Sequence, residues 1–206
     1  MPLLRRSLLL ALPLLASARA FADDDPRMVE RAVGNADAPV TVREYFSLTC
    51  PHCARFAQDT LPQIHADLIT TGKIRYIYGD FPLDQVALMA AMVARSLPPD
   101  RYEPFVLALL ASQDRWAFAR GINNTDEIAK MAALAGMPRA TFDSTIKDSK
   151  LRDAILAEQD QAEKLYHINS TPSFVFSGPK QKDRGDSGEM TYDAFAKVVA
   201  EVGGTV

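Results

Sequence analysis

A short motif, CPHC at residues 50–53, constrains the fold of this chain more than any other feature of its sequence. The preceding segment VTVREYF, at 40–46, alternates and is rich in β-forming residues, which predicts a strand that ends just before the motif. Pro51 suits the first turn of a helix, and apolar residues recur at helical spacing over 51–68. A second strand is predicted at 73–78. The motif is therefore expected at the strand-to-helix junction of a β-α-β unit.

The second half of the chain divides into a helical stretch and a closing β-β-α pattern. Apolar residues follow helical spacing between residues 84 and 167. Beyond this stretch we expect a strand at 173–176, a hairpin strand within the polar segment 178–188 and an amphipathic helix at 192–202. The middle helices are expected at 84–97, 100–113, 124–136, 138–146 and 149–166.

The first residues are typical of an export signal. Arg5 and Arg6 precede a Leu-rich run at 7–16, and small residues suited to cleavage follow at 20–22. The run is shorter than the roughly 20 apolar residues of a membrane span, although an uncleaved anchor is the alternative. The Sec route is favoured, because the arginine pair matches a twin-arginine signal only weakly. We expect residues 1–22 to be a cleaved signal peptide and the mature protein to lie in the periplasm.

Composition limits the partners of the protein. Lys plus Arg number 23 against 26 Asp plus Glu, which gives a net charge of −3, and no block of basic residues occurs. A nucleic-acid-binding protein normally carries a basic patch, so nucleic acid is not an expected partner. The hydrophobic fraction of 48% is that of an ordinary globular protein.

Cys50 and Cys53 are the only cysteines of the sequence, and three chemical roles suit such a pair. A structural disulfide at this spacing closes a very small loop and constrains the unfolded chain little. A tetrahedral zinc site needs two further ligands, and the sequence supplies neither a second CxxC nor an HxxxH. A redox couple is favoured, because a cysteine at a helix N-terminus has a pKa of about 3.5–7.5, against about 8.5 for a free thiol.

Together, several features resemble the DsbA family of exported thiol-disulfide oxidoreductases. They are the segment EYFSLTCPHC at 44–53 and a Thr171-Pro172 dipeptide placed before a predicted strand. The resemblance implies an α/β, thioredoxin-like fold with an inserted all-helical subdomain. It divides the mature chain into the N-terminal part of the thioredoxin-like domain at 23–83, the helical insertion at 84–167 and the C-terminal part at 168–206. It also implies reduced or misoxidised exported proteins as clients, a membrane-bound redox partner that resets the couple, and no cofactor or metal.

Within the motif, each residue has an expected role. Cys50 is the expected nucleophile, because the unpaired N–H groups of the helix start stabilise its thiolate. Pro51 begins the helix, and His52 adds a hydrogen-bond donor or a positive charge. Cys53, one turn into the helix, is the expected buried resolving thiol.

Outside the motif, the resemblance assigns roles to three more residues. Glu44 is the expected buried acid beneath the couple, which relays a proton to or from Cys53; the alternative is a carboxylate that faces solvent. Pro172 matches the cis-proline of the family, which exposes the backbone of Thr171 to an extended substrate. Lys73 and Arg75 are candidates to neutralise Glu44 from the next strand.

The sequence leaves open whether the couple oxidises, isomerises or reduces its clients. Pro51-His52 matches the oxidising branch of the family, and too few residues precede the first strand to build the dimerisation domain of its isomerases, so a monomeric dithiol oxidase is favoured. Thr171 instead resembles the threonine of the isomerase branch, which leaves a disulfide isomerase or reductase as the alternative. A metal-binding thiol protein and a binding module with an incidental CPHC are less favoured.

Overall fold

The computed structural model describes residues 25–206, and the predicted signal peptide at 1–22 lies outside the described residues. Five strands form one mixed sheet in the order β1-β3-β2-β4-β5. Neighbouring strands are antiparallel except for the central β2-β3 pair, which is parallel. The strands are β1 (Arg31–Val33), β2 (Val40–Phe46), β3 (Ile74–Asp80), β4 (Ser173–Ser177) and β5 (Arg184–Ser187).

The helices follow the order that the sequence predicts. A long helix joins β2 to β3, six helices lie between β3 and β4, and one follows β5. They are α1, built from the contiguous segments Pro51–Arg55, Phe56–Thr60, Leu61–Ile64 and His65–Ile69, then α2 (Gln85–Arg95), α3 (Pro99–Leu110), α4 (Gln113–Trp116), α5 (Asn124–Leu134), α6 (Arg139–Thr145), α7 (Ser149–Tyr166) and α8 (Tyr192–Glu201). The β-α-β, helical and β-β-α order is the predicted one, but β1 and α4 were not predicted. The division of the chain at residues 84 and 168 stays a prediction.

Helix α1 widens from α-helical to π-helical hydrogen bonding twice. Its segments Phe56–Thr60 and His65–Ile69 are π-helical, and the N–H of Leu61 donates to the carbonyl of Phe56. Pro62 has no N–H to continue the α-helical ladder, so a wider turn before it keeps the helix continuous. The Thr60 hydroxyl donates to the Met190 carbonyl at 3.0 Å, which ties this turn to the segment before α8.

Both faces of the sheet are covered. On one face Phe174 of β4 packs between Phe56 of α1 and Phe195 of α8, with ring centroids 4.8 and 5.9 Å away. On the other face Tyr45 of β2 packs against Tyr166 of α7. Strand β2 is thus enclosed by helices on both sides, which places its carboxyl end inside the fold; a short turn at 47–49 then leads to the CPHC motif. No helix within residues 25–206 has the length and apolar character needed to cross a membrane.

Candidate active site

Cys50 occupies the N-cap position of α1. Its backbone is extended, its N–H donates to the Ser47 carbonyl at 3.1 Å, and Pro51 follows as the first helical residue. The Cys50 residue is 5% exposed and Cys53 is 0% exposed, and both thiols are free. The N-cap is the position from which a side chain reaches the unpaired N–H groups of a helix. Cys50 thus lies at the start of a helix and Cys53 is buried one turn later, where the sequence analysis expected them.

The two thiols have opposite pKa shifts. A hydrogen bond from the Cys53 thiol is the largest cause that lowers the pKa of Cys50 to about 5, and the Thr171 side chain and the backbone N–H groups of Cys53 and His52 add to it against the effect of burial. Burial raises the pKa of Cys53 far above its usual value, and the hydrogen bond to Cys50 and the nearby Glu44 carboxylate raise it further. At neutral pH the couple therefore holds one thiolate and one thiol.

The Thr171-Pro172 dipeptide lies directly beside the nucleophile. When it is protonated, the Cys50 thiol donates to the Thr171 carbonyl at 3.2 Å, and the peptide bond between Thr171 and Pro172 is cis, as the resemblance implied. The Thr171 hydroxyl is buried and has no other hydrogen-bond partner within residues 25–206, so its proton can turn to the Cys50 sulfur, where it lowers the pKa of the thiol. The Pro172 carbonyl accepts from the N–H of Gly188 at 2.8 Å, which ties this loop to the end of β5.

Glu44 lies beneath the couple on β2. The residue is 3% exposed, so the alternative of a solvent-facing carboxylate is wrong. Its Oε2 accepts a hydrogen bond from the Tyr76 hydroxyl at 2.6 Å. The pKa of Glu44 is raised to about 7; burial is the largest cause, the hydrogen bond from Tyr76 opposes it, and the Cys50 thiolate adds to the increase.

Neither Lys73 nor Arg75, the two candidates from the next strand, neutralises Glu44. Glu44 pairs with Tyr78 in the parallel ladder, and Arg75 pairs with Thr41, so the Arg75 side chain leaves the sheet on the opposite face. There Arg75 forms an ion pair with Glu30 at 2.8 Å. Lys73 precedes β3 and is outside the ladder. The partner of Glu44 is a neutral phenol.

His52 points away from the protein core towards two charged side chains. Its Nδ1 lies 2.6 Å from Nη2 of Arg55 and 3.2 Å from Oε2 of Glu189, and Nε of Arg55 donates to the same carboxylate at 3.0 Å. A ring nitrogen cannot accept from Arg55 and donate to Glu189 at once, so the tautomer of the imidazole decides which of the two contacts is a hydrogen bond. The contact between His52 and Glu189 spans 137 positions of sequence, and no local pattern pointed to it.

A groove of about 690 Å³ runs past the motif. One wall comes from the first turns of α1 and the other from the loop that holds Thr171 and from the segment before α8. The groove is lined by His52, Asp59, Thr60, Ser170, Thr171 and residues 188–191.

The comparisons with known proteins agree with this geometry. The family model described as thioredoxin matches residues 27–200. The chain belongs to the thioredoxin family. The crystal structure of alpha-DsbA1 from Wolbachia pipientis superposes with a TM-score of 0.77 at 29% identity, over 85% of this chain and 91% of that one. Oxidised BdbD from Bacillus subtilis shares the fold, with a TM-score of 0.72 at 20% identity, over 84% and 92% of the two chains.

Relatives known from sequence carry similar names. A Rickettsia prowazekii protein, named as a candidate protein-disulfide oxidoreductase, is 31% identical over 77% of this chain, and the chain spans 57% of its length. A Bordetella parapertussis protein named thiol:disulfide interchange protein DsbA is 25% identical, over 78% of this chain and 72% of its own. The thioredoxin-like fold with inserted helices and the likeness to DsbA proteins, both predicted from the sequence, are confirmed.

Several neighbours of the couple in this thioredoxin-family chain were not foreseen from the sequence. Tyr76, Arg55 and Glu189 bond to predicted site residues, and Gln113 bonds to the backbone of Cys50 itself. Tyr76 depends on strand register and Glu189 and Gln113 on long-range contacts, whereas Arg55 lies one helical turn after His52, a local spacing that could have pointed to it. Within residues 25–206 no group of three or more His, Cys, Asp and Glu side chains is arranged to hold a metal ion.

Proposed function

We propose that the protein is a thiol:disulfide oxidoreductase that acts as a dithiol oxidase on exported proteins, with Cys50 and Cys53 as its redox couple. The opposite pKa shifts of the two thiols carry the proposal: the pKa of Cys50 is lowered to about 5, whereas that of Cys53 is raised. A stabilised thiolate favours the reduced form of the couple and makes its disulfide a good electron acceptor. Such a couple takes electrons from clients.

The proposed reaction passes two electrons from a client dithiol to the protein. A client thiolate attacks Sγ of Cys50 in the Cys50-Cys53 disulfide, the S–S bond breaks, and Cys53 leaves and takes up a proton. The second client thiolate then attacks the client sulfur of the mixed disulfide and expels the Cys50 thiolate. The client gains a disulfide, and the protein ends as one thiolate and one thiol.

The surroundings match the demands of each step. The Cys50 thiolate is the leaving group of the second step, and its low pKa makes it a fast one. Glu44 titrates near neutrality and lies close enough to raise the pKa of Cys53, so it is the proposed source of the proton that Cys53 takes up. The client is proposed to lie in the groove beside Thr171 and Pro172.

We place the reaction in the periplasm, with the couple reset by a membrane-bound partner whose own disulfide accepts the two electrons. The support is the sequence of residues 1–22 and the likeness to DsbA proteins. The proposal includes a monomeric state.

The redox potential tests the direction of the reaction. Equilibration of the couple with glutathione is expected to give a potential well above the glutathione poise, with rapid oxidation of a reduced unfolded protein and elution as a monomer. A potential near that of thioredoxin, about −270 mV, would identify a reductase instead. Weak oxidation combined with dimeric elution and fast reshuffling of scrambled disulfides would identify an isomerase.

Selective alkylation tests the assignment of the two thiols. We expect iodoacetamide to label Cys50 of the reduced protein at pH 5 to 6 and to leave Cys53 unlabelled, because only Cys50 has a lowered pKa. Mass spectrometry of peptides locates the label, and the protein denatured in urea serves as the control in which both thiols react alike. Equal labelling of the two thiols in the folded protein at pH 5 contradicts the assignment.

A further inference from the structure

The turn that presents Cys50 contains no regular secondary structure of its own. Residues 47–49 connect the end of β2 to the N-cap of α1, and all three are buried. The polar groups of a buried turn need partners, since an unsatisfied carbonyl or N–H is unfavourable in the protein interior. For this turn the partners come from the helical segment between β3 and β4.

Gln113, the first residue of α4, holds the turn from one side. Its Nε2 donates to the Leu48 carbonyl at 2.8 Å and to the Cys50 carbonyl at 3.0 Å. Gln113 is 6% exposed, and both neighbours are acceptors, so its amide N–H₂ rather than its oxygen must face them. One side chain thus fixes the backbone on both sides of Thr49, including that of the nucleophile.

Asp84 holds the same turn from a second side. Its Oδ1 caps α2 by accepting the N–H of Ala87 at 2.8 Å, and its Oδ2 accepts the Thr49 hydroxyl at 2.6 Å. Because the single hydroxyl proton of Thr49 goes to Asp84, the Ser47 hydroxyl must donate to Thr49 across the 3.3 Å that separates their oxygens. The Ser47 oxygen in turn accepts the N–H of Leu83 at 3.3 Å.

We propose that Gln113, Asp84 and Thr49 are positioning residues that hold Cys50 at the start of α1, so that the helical segment sets the reactivity of the nucleophile. The inference rests on the proposed oxidoreductase function. The thiolate is stabilised by the Cys53 thiol, the Thr171 side chain and the N–H groups of α1, and all of these depend on where the Cys50 backbone lies. Loosening the turn moves the sulfur away from these donors without removing any of them.

Gln113→Met tests the first contact. Methionine has a similar length and volume but no side-chain N–H, so the Leu48 carbonyl loses the Gln113 donor and the Cys50 carbonyl keeps only the N–H of Ala54. We expect the pH profile of Cys50 alkylation to move to higher pH, and the alkylation rate at pH 5 to fall about fivefold because a smaller fraction of Cys50 is thiolate. Ser112→Ala is the matched control: Ser112 is also buried, but its hydroxyl donates to the Ala108 carbonyl and does not contact the turn. Its profile is expected to match that of the wild type.

Thr49→Val and Thr49→Ser test the second contact and keep the inference falsifiable if Gln113→Met does not fold. Valine has the shape of threonine without the hydroxyl, whereas serine keeps the bond to Asp84. We expect the pH profile of Cys50 alkylation to move to higher pH in Thr49→Val and to match that of the wild type in Thr49→Ser. Thermal unfolding is measured on every variant. Lower stability with an unchanged alkylation profile means that the contacts are merely structural and overturns the inference.

The wild-type protein separates this inference from the proposed function. If its Cys50 does not react at low pH, or if it transfers no disulfide to a reduced client, the proposed function fails. If the wild type behaves as proposed and the profiles of Gln113→Met and Thr49→Val coincide with it, only the positioning role fails.

Discussion

Replacing Cys50 with serine is expected to abolish disulfide transfer to a reduced client, with a loss of more than about a thousandfold in rate. Serine has nearly the shape of cysteine, but its hydroxyl forms no disulfide at either step of the reaction. The variant is expected to keep the fold, because the bond that the Cys50 side chain makes to the Thr171 carbonyl suits a hydroxyl as well. The measurement is the rate at which a reduced unfolded protein is oxidised when it is mixed with an equimolar amount of the variant.

Cys53→Ala is expected to have a different outcome, the accumulation of a mixed disulfide. Its Cys50 thiolate attacks a disulfide of a client and releases one client thiolate, and no second thiol of the protein remains to resolve the product. Trapping is best done near pH 8, because the variant lacks the Cys53 hydrogen bond that contributes most to the low pKa of Cys50.

A variant with both cysteines replaced is the control and is expected to trap nothing. The complexes are resolved by electrophoresis without reductant and disappear when reductant is added. Trapping by Cys50→Ala but not by Cys53→Ala would reverse the roles of the two thiols.

The features that depend on local pattern were predicted well from the sequence. Strand β2 and helix α7 begin and end at the expected residues, because alternation and helical periodicity report burial directly. The junction that places Cys50 at a helix start follows from the same local signals. Strand β1 was missed, since Arg31–Val33 is too short to show an alternating pattern.

The features that depend on register or on distant contacts were not predictable in this way. Lys73 and Arg75 were wrong partners for Glu44, because the offset between two parallel strands decides which side chains share a face. Gln113 approaches the turn before Cys50 across 63 and 65 positions of sequence. Nothing in the segment around an isolated glutamine distinguishes one that holds an active-site turn from one that faces solvent.

Glu44→Gln is expected to stabilise the reduced protein at alkaline pH. The carboxyl group binds its proton more tightly in the folded chain than in the unfolded one, because burial raises its pKa from 4.5 to about 7. Its contribution to the stability of the fold is therefore complete below the unfolded pKa and is lost as the pH rises through about 7. Glutamine keeps an oxygen to accept the Tyr76 hydroxyl and has no charge to bury.

The free energy of unfolding in urea, measured at pH 5 and pH 8, tests this linkage. We expect Glu44→Gln to be about 1–3 kcal/mol more stable than the wild type at pH 8 and nearly equal to it at pH 5. Glu158, whose pKa burial also raises to about 7, titrates in both proteins and cancels in the difference. A difference that does not change between the two pH values contradicts a buried, titrating Glu44.

The same variant separates a structural carboxylate from a functional one. A carboxyl group that destabilises the fold at neutral pH is explained most simply by a role in the reaction. Glu44 lies close to Cys53, so it can supply the proton that Cys53 takes up when the Cys50-Cys53 disulfide breaks. Glu44→Gln is therefore expected to slow disulfide transfer and to flatten its dependence on pH near 7, while the fold becomes more stable. A variant that gains stability and exchanges at the wild-type rate across this range would leave the buried charge without a role in the reaction, and the proton of Cys53 would then come from water.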